Sequence, residues 1–240
     1  MWTPDGKHLV FNTSTGAGSY WIQWMRVDGA SEAQNLLESK ALPVGFSFSP
    51  DGSRLAFSYS TTTSPGATAD ILILPLDMAD PEHPQPRRPE VFARRPGTNA
   101  GLSLSPDGKW IAYVSNESGR AEIYVRPFPA PPDGSAGGKW QISSDGGFIA
   151  PVWSRDGKEL FFNSLDGHIM AAAYRVSGQT FNADRPRLWS RDRARLFGSL
   201  DSQHIAAAVF QGTSDQGNSV HLTVLLNFFD EVRRRVPVTK

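Results

Sequence analysis

The chain has no cysteine in its 240 residues, which excludes disulfides, thiolate metal sites and cysteine nucleophiles together. The absence suits a bacterial periplasm and a cytosol alike, so the compartment stays open, with the extracytoplasmic side favoured. Net charge is also missing: Lys plus Arg number 24 and Asp plus Glu number 24. No overall field therefore draws the chain to nucleic acid or an anionic membrane. No run of 18 apolar residues occurs, so no helix is expected to span a membrane. The N-terminus shows no basic and apolar leader pattern. Helical periodicity is nearly absent until Asn227–Arg233, where a short turn is expected.

Motifs of chemistry are scarce as well. There is no Gly-x-Ser-x-Gly elbow, no His-Glu-x-x-His and no EF-hand spacing. The phosphate-loop pattern and the signature elements of a protein kinase are missing too. Gly134–Lys139 is glycine-rich but leads to Trp140 instead of the Lys-Ser/Thr pair a phosphate loop needs. The five histidines (His8, His83, His168, His204, His221) are scattered. His8 and His204 follow equivalent turns, which marks a repeat position before a catalytic one. We expect no catalytic residue, no metal and no cofactor.

A repeated phrase is what the chain does have. Thr3-Pro4-Asp5-Gly6-Lys7, Ser49-Pro50-Asp51-Gly52-Ser53, Ser105-Pro106-Asp107-Gly108-Lys109 and Ser154-Arg155-Asp156-Gly157-Lys158 each lead into an apolar run. A worn fifth copy lies at Ser199–Gln203, with Asp201 in the aspartate place. The aspartates are spaced by 46, 56, 49 and 45 residues, a period that signals a repeat architecture. Pro presets φ for a turn, Asp bonds to nearby amides, and Gly accepts the positive φ that closes a hairpin. We therefore assign Asp5, Gly6, Asp51, Gly52, Asp107, Gly108, Asp156, Gly157 and Asp201 to structural turns. One carboxylate per turn is far short of the six to eight oxygens a Ca²⁺ site wants.

Each turn sits between short strands, as in Val44–Phe48 before and Leu55–Phe57 after the second copy. A third strand (Trp21–Met25, Asp70–Leu74, Glu122–Val125, His168–Ala172) and a brief fourth complete the unit. Four antiparallel strands in about fifty residues make one propeller blade. Such a blade is covered on both faces, which explains the nearly continuous apolar runs. The fold class expected is all-β: a β-propeller of four-stranded antiparallel blades, about five of them, within a larger ring. The blades fall at about 1–40, 41–95, 96–145, 146–192 and 193–240 of a single domain. The proline-rich stretch from Pro75 to Gly97 is expected to leave the second blade as a surface excursion. The first unit lacks most of its leading strand, so either upstream blades or the terminal strand Val220–Leu226 would complete the ring; the former is favoured.

The phrase resembles the TolB-type, WD40-like (PD40) β-propeller repeats of bacteria. Ser105–Ser115 followed by Glu122–Pro129 is a close example. Leu225–Pro237 resembles the end of propellers fused behind bacterial Ser/Thr protein kinase domains. Arg155 in place of Pro and Ser202 in place of Gly depart from the pattern. The resemblance implies a non-catalytic binding or sensor module, part of a kinase-linked protein. It would meet a protein, peptide or small ligand at the loop face or the central opening. Similar blades also accompany prolyl-oligopeptidase-type peptidases and form the periplasmic Tol-system protein, so those alternatives stand. The arginine clusters at 185–195 and 233–235 are interleaved with or preceded by acids, which fits solvated surface better than a nucleic-acid stripe. The recurring tryptophans fit packing between blades.

Overall fold

The structure, a computed structural model, describes residues 1–16, 18–60, 70–93, 101–130, 137–199 and 204–209. Every regular element among them is a strand, and every pairing is antiparallel. The first sheet is β1 (His8–Ser14), β2 (Tyr20–Arg26) and β3 (Gln34–Ser39), with Trp2 bridging to Leu9 on the free side of β1. The second is β4 (Leu42–Phe48), β5 (Arg54–Ser60) and β6 (Ile71–Asp77). The outer edge of β6 takes two short segments, β7 (Gln85–Pro86) and β8 (Glu90–Ala93). The third runs β9 (Leu102–Leu104), β10 (Trp110–Ser115), β11 (Glu122–Pro127), β12 (Trp140–Gln141). The fourth is β13 (Phe148–Trp153), β14 (Glu159–Asn163) and β15 (His168–Ser177). Its outer edge is shared by β16 (Thr180–Ala183) and the first half of β17 (Arg187–Ser199). The second half of β17 then pairs with β18 (Ile205–Val209), opening a fifth sheet.

Side-chain alternation holds this array together. Successive residues of a strand face opposite ways, so a blade between two neighbours needs apolar residues at every position. In β5, Leu55 and Phe57 join a cluster with Val10, Ile22 and Trp24 of the first sheet. Ala56 between them joins Leu104, Ile111 and Tyr113 of the third. In β14, Leu160 and Phe162 face Trp110 and Val125 of the third sheet, and Phe161 faces Ala194 and Leu196 of the fifth. The four apolar clusters thus lie between sheets, one per junction. Burying one such leucine or phenylalanine contributes roughly 1.5–3 kcal/mol.

A polar tie crosses each junction too. Asn12 Nδ2 donates to the Pro43 carbonyl at 2.6 Å, the Ser47 hydroxyl accepts from Leu104 N at 2.9 Å, and Trp153 Nε1 donates to the Ser103 carbonyl at 3.0 Å. Asn163 donates to Ala194 O and accepts from Leu196 N. These bonds tie β1 to β4, β4 to β9, β9 to β13, and β14 to the second half of β17.

Two places differ from the sequence pattern. Pro75 does not begin an excursion: it lies inside β6 opposite Arg54, and its carbonyl accepts from Arg87 N at 2.9 Å. Its missing N–H faces the broken outer edge, the kind of position where a sheet tolerates proline. The chain then turns at 78–84 and returns as β7 and β8. In the fourth sheet, β15 runs ten residues and folds back through β16. This hairpin carries Phe181, 1% exposed, into a nest of Trp110, Trp140, Trp153 and Tyr174, with ring centroids 4.9–6.1 Å away. The expected helical turn at 227–233, the strand Val220–Leu226 and the terminal segment 225–237 lie outside the described residues.

Candidate functional site on the turn face

Antiparallel strands in inner-to-outer order send the first and third connections of every sheet to the same end. The repeated turns therefore share one face. Four of the five expected turns lie there, and Asp201 of the fifth is outside the described residues. Each described turn is closed by the same backbone bonds. In the third, Gly108 N donates to Ser105 O and Ser105 N to Trp110 O, both at 2.9 Å. The Ser105 hydroxyl donates to Asp107 Oδ1 at 2.5 Å and accepts from Trp110 N at 3.0 Å. Asp107 Oδ1 also accepts from Lys109 N at 3.1 Å. Thr3 with Asp5 and Ser49 with Asp51 repeat the arrangement. In the fourth turn, the Ser154 hydroxyl accepts from Glu159 N at 2.8 Å and Asp156 Oδ1 from Lys158 N at 3.3 Å. The hydroxyl at the head of the phrase is the partner that attention to Asp and Gly passes over. Its signal was present, since every copy begins with Ser or Thr.

The glycines are required by conformation: Gly6, Gly52, Gly108 and Gly157 have φ of +66° to +72°. They also let successive turns touch. A Cβ on Gly108 would lie 3.0 Å from Pro50 Cδ, and one on Gly52 would lie 4.0 Å from Pro4 Cδ. The proline of one turn packs on the glycine of the next.

That packing stops at the fourth turn. The atom nearest a Cβ on Gly157 is the Tyr174 hydroxyl at 3.7 Å, not Pro106. A cleft of about 420 Å³ opens there. Pro106 and Asp107 of the third turn form one wall, and Arg155, Asp156 and Gly157 of the fourth form another. Tyr174, Arg175 and Val176, on the extension of β15, form the third. Burial, together with the Asp107 and Asp156 carboxylates, pushes the Tyr174 phenol well above its ordinary pKa, so it stays an O–H donor at neutral pH.

Elsewhere the buried polar groups brace strands. Glu122, 1% exposed, accepts from Gly146 N at 3.0 Å and Arg120 Nε at 2.6 Å, and takes the Ser143 hydroxyl. Glu159 accepts from Arg187 at 2.5 Å. His8, 1% exposed, stacks on Trp24 at 4.8 Å and lies 3.4 Å from Glu82, which Arg26 also holds at 2.8 Å. His204, at the equivalent place in the fifth unit, is exposed. Among the described residues no group of three or more His, Asp or Glu converges as a metal site, and no helix is long and apolar enough to cross a membrane.

No protein-family model matches the chain, and no curated protein matches it. Solved structures do. TolB from Acinetobacter baumannii superposes with a TM-score of 0.56 and 19% identity, over 87% of this chain and 50% of that one. The fold is a TolB-like β-propeller. A puromycin-hydrolyzing peptidase of Mycobacterium tuberculosis shares it with a TM-score of 0.54 and 14% identity, over 83% of this chain and 32% of that one. A structure from a study of two prolyl endopeptidases matches at 0.51 and 14%, over 80% and 30%. At such identities the likeness is one of fold. The TolB-like chain spans half or less of the length of these three structures.

Proposed function

We propose that this chain is a non-catalytic interaction propeller, one domain across its 240 residues, belonging to a kinase-linked protein. The reading is supported by where the reactive side chains stand. Glu122, Glu159 and His8 are engaged in joining strands and loops, and the repeated aspartates close turns that serve as structure. What is presented outward among the described residues is a face of turns with a cleft in it, the form of a recognition surface on a scaffold of strands. The kinase linkage rests on the resemblance of Leu225–Pro237. The second reading, a propeller serving a peptidase domain, is favoured by the likeness to the two peptidase structures.

A displayed peptide library panned on the folded chain tests the interaction reading. Enrichment of peptides that bind the folded but not the heat-denatured chain is expected. Absence of enrichment, or turnover of peptide amides or transfer of phosphate from ATP by the purified chain, would overturn it. The coding frame separates the two settings: a kinase domain upstream supports the first and a hydrolase domain downstream the second.

A further inference from the structure

We propose that the cleft between the third and fourth turns binds an acidic segment of a partner protein, with an Asp or Glu carboxylate seated against Arg155, Arg175 and the Tyr174 hydroxyl. This rests on the reading of the chain as an interaction module and names the chemistry of its partner.

The hydrogen-bonding balance of the cleft carries the inference. Arg155 makes no ion pair or hydrogen bond among the described residues, and Arg175 has only a 3.9 Å approach to Asp184, with both side chains exposed. The Tyr174 hydroxyl has no hydrogen-bond partner among the described residues either. The aspartates are already engaged. Asp107 Oδ1 receives the Ser105 hydroxyl and Lys109 N. Asp156 receives Lys158 N on Oδ1 and has Lys158 Nζ 3.6 Å from Oδ2. Two guanidiniums and two carboxylates leave the lining with no net charge, so long-range attraction does not choose the ligand. The unmatched groups choose it. The side chains without a hydrogen-bond partner among the described residues, Arg155 and Tyr174, together with the loosely held Arg175, offer N–H and O–H donors, and guanidinium forks prefer a carboxylate.

Shape argues for a peptide over a bare ion. About 420 Å³ holds a side chain with a stretch of backbone. Pro106 and Val176 offer apolar walls for the methylenes of a glutamate. The β15 wall is held from behind by Phe181 in its aromatic nest, so the Tyr174 hydroxyl is already placed, and the ordering cost of binding falls on the exposed Arg155 and Arg175 side chains.

The test is fluorescence anisotropy with the fluorescein-labelled hexapeptide Gly-Ser-Glu-Glu-Ser-Gly, against the same peptide with both glutamates replaced by glutamine. We expect the glutamate peptide to bind about tenfold more tightly at low salt. Arg155→Pro should weaken it about tenfold. Proline holds this place in the second and third turns, so the turn itself should survive. Tyr174→Phe should weaken it about threefold while keeping the ring against Phe181. Equal binding of the glutamine peptide, or unchanged affinity in Arg155→Pro with intact melting, overturns the assignment. Glutarate binding as tightly as the peptide would overturn the partner protein as the source of the carboxylate. If the glutamate peptide fails but library-derived peptides bind with no response to Arg155→Pro, the cleft assignment falls and the interaction reading stands. If neither binds, both fall.

Discussion

The junction between the second and third turns and the junction between the third and fourth are built from nearly the same phrase, and they end differently. At the former, Pro50 closes on Gly108 so tightly that one added carbon would sit 3.0 Å from it. At the latter, Tyr174 stands at the place where proline would pack, and a cleft opens. The turns share their backbone bonds, and the Ser154 hydroxyl differs in accepting from Lys158 N as well as Glu159 N. The difference between the junctions comes from the fourth sheet, whose third strand overruns the repeat and folds back as β16. A recurrent phrase sets a scaffold, and a local insertion turns one of its seams into a site.

Removing what holds the insertion should have the largest effect. Phe181 is 1% exposed and touches four aromatic rings from two sheets. Phe181→Ala should cost about 3–5 kcal/mol, as truncation of a buried phenylalanine does. Chemical denaturation reads the loss. A change below about 1 kcal/mol would mean that the hairpin does not anchor the open junction.

The sealed junction is probed by Gly108→Val set against Gly6→Val. Both glycines have φ of +69°, but a Cβ at Gly6 meets nothing within 4 Å. Backbone strain alone should cost Gly6→Val roughly 1–2 kcal/mol. Gly108→Val should lose more, because Pro50 must also move. Equal losses in urea midpoints would show that turn-to-turn packing contributes nothing.

Both junctions depend on the hydroxyl that heads the phrase. Ser105→Ala removes the acceptor for Trp110 N and the donor to Asp107. With a buried amide left unmatched, a loss of about 1–2 kcal/mol is expected. Unchanged melting would reduce the hydroxyl to a bystander.

Much of this architecture was legible because its cause is local. Pro, Asp and Gly dictate a turn wherever they stand, and the apolar runs of β5, β10 and β14 announce strands covered on both faces. Pro75 misled because a proline signals only a missing donor. Whether that donor is needed depends on the register with Arg54 and the broken outer edge, which one segment does not encode. The cleft was hidden for a related reason. Arg155 was visible as a departure, yet its meaning depends on Tyr174, nineteen residues later, and on Phe181, which must find a nest half of which is built in another sheet. Long-range placement of that kind leaves no mark in spacing.

The smallest expected effect distinguishes turns that work as structure from turns that hold an ion. Hydrogen bonds from the Ser49 and Ser53 hydroxyls and from Ser53 N hold the Asp51 carboxyl below its ordinary pKa. A carboxylate depressed in the folded state contributes stability at pH values above its unfolded pKa of about 3.9 and loses it as pH falls through the folded value. Melting temperature should therefore hold steady through neutral pH and decline below about pH 4. Asp51→Asn keeps an acceptor oxygen and removes the proton-linked charge, so its decline over the same window should be shallower. The contribution is small because Asp51 is exposed and solvent screens it. A wild-type chain stabilised by added Ca²⁺ at neutral pH, with the effect abolished in Asp51→Asn, would instead make the turn an ion site and undo the structural account of the repeat.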